Sequence, residues 1–153
     1  MMADVEIKIT GLAELDRALE RFPLELQRKE LAGAWRKAGK IMAEDAKDRA
    51  PVRVATHEGF GKASGEHIRA PGFLKASIRL TVRTINGIPT ALIGWSRAAF
   101  YGAFQEFGTS RQAAKPFMRP AFDSTAPAVI REFAFHLRLG IERTAKKLYA
   151  KGK

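Results

Sequence analysis

Three histidines, His57, His67 and His136, are the residues of this 153-residue chain best suited to metal ligation or proton transfer. His57 and His67 stand ten residues apart, without the i, i+4 helical spacing that aims two imidazoles at one metal ion. His136 falls in a helical stretch with no carboxylate pattern beside it. The chain has no cysteine, which removes thiolate nucleophiles, disulfides and Cys-based metal sites together. No serine stands in a nucleophile-elbow motif. Gly59-Phe60-Gly61 is followed by neither the Lys-Ser/Thr pair nor the helix of a phosphate loop. The expectation is a chain without a catalytic, cofactor-binding or metal site, and not an enzyme.

Phosphate contact is the chemistry these residues favour more. The net charge is +11, and it is unevenly spread. Residues 1–50 hold ten Lys/Arg and ten Asp/Glu, residues 51–97 seven against two, and residues 98–153 ten against four. An excess confined to the last two-thirds favours an anionic neighbour, either nucleic acid or an acidic protein surface. Arg79, Arg83, Arg97, Arg111, Lys115 and Arg119, with a tail of Lys146, Lys147, Lys151 and Lys153, have the residue types that follow a phosphate backbone. No helix-turn-helix, zinc-finger or RNA-recognition signature accompanies them, so sequence-specific readout is not expected. A solvated basic surface fits the same residues.

The elements that must carry these side chains are legible in the hydrophobic periodicity. Val5, Ile7 and Ile9 alternate with Glu6 and Lys8 as in a short half-buried strand, closed by Thr10-Gly11. Leu12, Leu15 and Leu19 mark a short amphipathic helix ending near Phe22-Pro23. A long helix follows from about Leu24 to Ala50, with Leu31, Trp35, Ala38, Ile41 and Met42 on its apolar side, and Pro51 ends it. Residues 52–72, rich in glycine, read as a flexible loop. Phe73 to Ile78 fits either one helical turn or the start of a strand.

Strands at Ile78–Ile85 and Thr90–Trp95 flank Asn86-Gly87, a strong hairpin signal. A short helix over Ala98–Phe107 sets Phe100, Phe104 and Phe107 on one face, closed by Gly108 as a left-handed cap. A proline-bracketed loop over 109–120 leads to a last helix from about Pro120 to Tyr149. Its buried stripe is expected at Phe122, Thr125, Val129, Phe133, Leu137, Gly140, Ile141 and Leu148, and its basic end, about 149–153, is expected to fray. The whole is one α+β domain over 1–153, a small antiparallel or mixed sheet packed with two long helices. The aromatic run Phe100, Tyr101, Phe104, Phe107, Phe117 and Phe122 is most simply core, with part of it at a subunit interface as the alternative. No span approaches the length that crosses a bilayer, and Met1–Thr10 lacks the apolar stretch of a signal peptide. A soluble chain is expected.

Two closely spaced blocks are less generic: Glu106-Phe107-Gly108-Thr109, and Pro116-Phe117-Met118-Arg119-Pro120-Ala121. With Gly11-Leu12, Ala50-Pro51, Leu74 to Ile78, Ile93-Gly94 and Tyr101, taken in that order, they resemble the minor-tail or tail-completion family of long-tailed bacteriophages, which joins a finished tail to the DNA-filled head. The chain departs from the pattern at 52–72, where the family has a short Pro-x-x-Thr/Ser-Gly-x-Leu link. The resemblance implies a structural virion protein at the neck, forming a ring, most commonly a hexamer. Its neighbours would be head connector or stopper proteins and tail terminator or tail-tube proteins, with DNA passing non-specifically through the channel and no membrane. An infectious phage and a gene transfer agent fit equally.

Within that reading Tyr101, Glu106, Phe107, Gly108, Thr109, Pro116, Phe117, Arg119 and Pro120 form a subunit interface or a structural corner in which Phe107 packs on Phe117. Arg79, Arg83, Arg111, Lys115, Lys146 and Lys147 are the candidates for the DNA channel. Glu106, in the last turn of a helix where the dipole disfavours a carboxylate, calls for a cationic partner. Arg119 inside the subunit, or an arginine of a neighbour, is expected to supply it.

Overall fold

The structure, a computed structural model, describes residues 13, 16, 17, 20, 22–52 and 71–151, with side chains up to Lys147. The expected strand over residues 5–9 lies outside the described residues, as do Leu12, Leu15 and Leu19 of the expected first helix and most of the loop at 52–72.

Helix α1 spans Leu24–Arg49. Pro23 precedes it in extended geometry, and its carbonyl accepts the N–H groups of Leu26 (2.9 Å) and Gln27 (3.0 Å). Glu25 in the first turn and Lys47 and Arg49 in the last have the signs the helix dipole favours. The helix ends where the proline rule requires: Ala50 turns extended (φ −60°, ψ 128°) ahead of Pro51. Its fully buried positions are small, namely Ala34, Ala38, Gly39, Ala43 and Ala46. The larger apolar residues Leu31, Trp35, Ile41 and Met42 are only half-buried. This alanine stripe lets neighbouring elements approach the helix axis closely, as Gly39 illustrates: a Cβ there would sit 2.7 Å from Leu80 Cδ1.

Phe73–Ser77 is a helical turn, α2, entered through Gly72 at φ 80°, which settles the choice left open by sequence. The buried Ser77 hydroxyl donates to the Leu74 carbonyl at 2.8 Å. Strands β1 (Arg79–Ile85) and β2 (Ile88–Gly94) pair antiparallel as a two-stranded sheet. Ile85 pairs with Ile88 across Asn86 (φ 50°) and Gly87 (φ 83°), the two positive φ values of the expected two-residue turn.

The single helix expected over 98–107 is instead two pieces: a 3-10 turn at Arg97–Ala99 and a short helix α3 at Gly102–Phe107. Gly102 is one reason for the close packing here, since a Cβ would lie 2.8 Å from Leu74 Cδ1 and 3.0 Å from the Trp95 ring. Helix α4 runs Met118–Lys151, with Pro120 in its first turn and Pro127 inside it. Proline at 127 has no N–H, so the Asp123 carbonyl lacks its helical donor.

α1 and α4 run antiparallel, as their contacts show in sequence. Ala46 and Ala50 share a core with Phe117 and Ala121, whereas Ala34 packs with Leu137 and Ile141. The first cluster also takes in Leu74, Ile78 and Ala99, with Trp95 and Tyr101 at its edge. Polar contacts line the seam between the helices. Ser124 joins the Asp45–Arg49 pair (Arg49 Nη2 to Ser124 Oγ, 3.1 Å), and the Thr144 hydroxyl donates to Glu30 at 2.9 Å. The Arg49 hydrogen bond, and after it the attraction of its charge, hold the Asp45 carboxyl below the usual carboxylate range despite some desolvation.

The expected stripe of α4 needs one correction. Thr125, Leu137, Gly140 and Ile141 are buried and Val129 and Phe133 half-buried, but Phe122 is 56% exposed. The neighbouring Ala121 takes the inward position instead, buried in one core with Ala46 and Ala50. No helix among the described residues is long and apolar enough to cross a membrane.

Candidate functional site

The two sequence blocks meet at the corner between α3 and α4. Helix α3 ends at Gly108, whose N–H bonds the Phe104 carbonyl at 2.9 Å. Gly108 has φ 77° and ψ −179°, a positive φ as expected but outside the left-handed helical cap region. Only glycine suits the position, since a Cβ would lie 2.8 Å from the Ala114 backbone nitrogen and 3.0 Å from the Gln112 carbonyl. The chain loops through Thr109–Gln112, a single antiparallel bridge, and returns along α3, where the Lys115 N–H donates to the Gln105 carbonyl at 2.7 Å. It then enters α4.

Helix α4 opens without a Ser, Thr, Asp or Asn at its start, so its first N–H groups need an acceptor from elsewhere. Glu106 supplies it. Its Oε2 accepts the N–H groups of Phe117 (2.8 Å) and Met118 (2.9 Å), and its Oε1 accepts that of Arg119 (3.0 Å). Burial pushes the Glu106 carboxyl up, but the three backbone N–H bonds outweigh it, with a smaller contribution from the Arg119 charge, and leave it below the usual carboxylate range. Within the subunit, the expectation of an ion pair with Arg119 is therefore corrected. Arg119 stands in the exposed class and forms no ion pair with Glu106; the partner is the amino-terminal end of a helix, which carries the partial positive charge an arginine would have brought.

The expected packing of Phe107 on Phe117 is corrected as well. Phe117 is fully buried and meets the Trp95 ring at 5.5 Å, while Phe107 is 69% exposed. Phe100 and Phe104 are also exposed and touch each other edge to face at 6.0 Å, so the simple core reading of the aromatic run fails for these three and for Phe122. Tyr101 and Pro120 are half-buried, and Thr109 and Pro116 are exposed. The Thr109 hydroxyl accepts the Arg111 N–H at 3.3 Å.

The candidate channel cations are all exposed, but the fold does not gather them. Arg79 and Arg83 lie on β1 and Arg111 and Lys115 on the corner loop. Lys146 and Lys147 lie about 40 Å from the start of α4, measured along its axis at 1.5 Å per residue, and so far from the corner loop. His136, expected to lack a carboxylate, has one: Nε2 lies 2.9 Å from Glu132 Oε1, one turn earlier, and Nδ1 lies 3.5 Å from Lys37 Nζ. His57 and His67 are outside the described residues. Among the described residues no three His, Asp or Glu side chains gather as a metal ion would need, and no buried side-chain polar atom lacks a partner.

Sequence reasoning missed the Glu106 cap, although two signals for it were present. A carboxylate stood at the wrong end of one helix, and the next helix had no capping residue. Each answers the other. Comparisons with protein-family models, with curated proteins and with solved structures give no match to this chain.

Proposed function

We propose that the chain is a ring-forming structural subunit of the head–tail junction of a tailed bacteriophage or phage-derived particle, and not an enzyme. The order of the blocks from Gly11-Leu12 to Pro116–Ala121 suggests the family. The observation that carries the assembly is apolar surface on two separate elements. Ile85, Ile88 and Leu92 are exposed on the hairpin, and Phe135 and Leu139 are exposed one turn apart on α4. A closed ring of identical subunits uses two different patches, one on each side of every subunit. In this reading the corner braces the subunit, and Arg79, Arg83, Arg111, Lys115, Lys146 and Lys147 face DNA phosphates in the channel without reading sequence. A hexamer would match tail symmetry. Head connector or stopper proteins and tail terminator or tail-tube proteins would be its neighbours.

Cryo-electron microscopy of the purified particle tests this. The expected map has a ring of this chain at the neck, with the hairpin and the α4 face at subunit boundaries. Absence of the chain from purified particles overturns the reading.

A second reading, a sequence-independent nucleic-acid-binding protein acting outside a particle, is favoured by one observation. Arg97, Arg111, Lys115 and Arg119 are exposed and, among the described residues, none is ion-paired to a carboxylate. It requires tight, strongly salt-dependent duplex binding by the isolated monomer, where the ring reading expects weak binding.

A further inference from the structure

The corner carries three exposed aromatic rings, and three cations that among the described residues pair with no carboxylate. Phe100, Phe104 and Phe107 are 62%, 48% and 69% exposed. Phe104 and Phe107 stand one turn apart on α3, and Phe100, just before it, packs edge to face with Phe104 (6.0 Å) and Tyr101 (6.1 Å) while staying largely exposed. Arg97 stands one turn before Phe100. Arg111 and Lys115 belong to the loop that folds back on α3, and the Lys115 backbone is bonded to Gln105, the residue after Phe104. The one acid between 97 and 120 is Glu106, which is buried and engaged with three backbone N–H groups.

The occupant must therefore cover aromatic faces and neutralise cations at once. A second copy of this chain is a poorer complement: it carries 27 Lys/Arg against 16 Asp/Glu, its Asp45, Asp48 and Glu142 already hold Arg49, Lys75 and Arg138, and exposed acids such as Glu25, Glu44 and Asp123 are dispersed over α1 and α4. Duplex nucleic acid supplies phosphates but keeps its base faces stacked inside, which leaves the rings unused. A single strand supplies both, because every unstacked base offers a π-face beside a phosphate.

We propose that the corner formed by Phe100, Phe104, Phe107, Arg97, Arg111 and Lys115 is a binding site for single-stranded nucleic acid, held by base stacking and phosphate contact without sequence readout. The site belongs to the subunit alone, so it stands or falls independently of ring assembly.

Fluorescence anisotropy of the full chain with labelled oligothymidylate and oligouridylate of about 20 nucleotides, and with a matched duplex, tests the assignment at several salt concentrations. Both single strands are expected to bind about tenfold or more tightly than the duplex, the tighter of the two naming the natural source. Phe104→Ala with Phe107→Ala is expected to weaken single-strand binding by about tenfold or more and to leave duplex binding unchanged. Phe104→Leu with Phe107→Leu, which keeps apolar bulk but no aromatic face, is expected to lose as much, and Trp at both positions to retain binding. Arg111→Gln with Lys115→Gln should weaken both ligands and reduce the single-strand salt slope by about 1.4, at about 0.7 per phosphate contact. Circular dichroism checks that each variant folds.

Equal affinity for single strand and duplex overturns the proposal, as does wild-type affinity in the leucine variant. Loss of self-association in the alanine variant, with oligonucleotide binding intact, overturns it too and makes the corner a protein interface.

Discussion

Glu106 bonds the backbone N–H of Arg119 at 3.0 Å and leaves the Arg119 guanidinium in the exposed class. An acid and an arginine thirteen residues apart thus interact through the peptide group, as one of three bonds that cap a 34-residue helix.

Removing that acceptor should be felt. Glu106→Ala leaves one buried and two part-buried N–H groups at the start of α4 without their acceptor, and the expected loss is about 1–3 kcal/mol of unfolding free energy. Urea unfolding followed by circular dichroism measures it. A loss below about 0.5 kcal/mol, the range of ordinary surface changes, would show that the cap does not stabilise the helix.

The same carboxylate sets an acid limit. Its folded-state affinity for a proton is below the ordinary one, so the unfolded chain takes up that proton first as pH falls. The contribution of Glu106 is expected to be complete above the ordinary glutamate value of 4.5 and to disappear as pH drops through the lower folded-state value. Unfolding free energy measured from pH 6 to pH 3 should fall less steeply in Glu106→Gln than in the wild type. Identical slopes would contradict the assignment.

Phenylalanines on either side of the corner should separate sharply. Phe117→Ala empties a fully buried site and is expected to lose about 3–5 kcal/mol. Phe107→Ala and Phe122→Ala, both more than half exposed, should stay within about 0.5 kcal/mol. Thermal unfolding of the three variants decides it, and comparable losses in all three would refute the burial pattern.

At the far end of the helix pair, Gly140 makes room for Glu30. A Cβ at 140 would collide with the Glu30 carboxylate, which also accepts the Thr144 hydroxyl. Gly140→Ala should push the Glu30 carboxylate off Thr144, a loss of about 0.5–1.5 kcal/mol that the better helix propensity of alanine, about 1 kcal/mol, largely offsets. The double variant Glu30→Ala, Gly140→Ala should be no less stable than Glu30→Ala alone, since the first change vacates the space. A double-mutant cycle with additive losses would exclude the contact.

The elements legible in the sequence were those whose signal is local. Pro51 stopped α1, Asn86-Gly87 turned the hairpin, and the apolar rhythm from Thr125 to Ile141 placed most of the buried side of α4. The misreadings came from pairings across the fold. Nothing near Ala121 announces that it, rather than Phe122, would join Ala46 and Ala50 in the core. Periodicity marked Phe100, Phe104 and Phe107 as apolar and helically spaced, but it cannot say whether such residues meet a core or solvent, and all three are exposed. The residue names around Glu106 point to a side-chain cation such as Arg119, whereas helix ends carry charge that no residue name displays.

The cap bears also on the order of assembly. Its bonds close loops of eleven to thirteen residues, whereas the Glu30–Thr144 contact closes one of 114. Loop-closure entropy alone makes the longer closure about 2 kcal/mol less favourable. We therefore expect the corner to be organised in the folding transition state, with φ-values high at Glu106 and low at Gly140, and α4 to zip against α1 from this end toward its basic terminus. Equal φ-values at the two ends would rule out such a sequence of events.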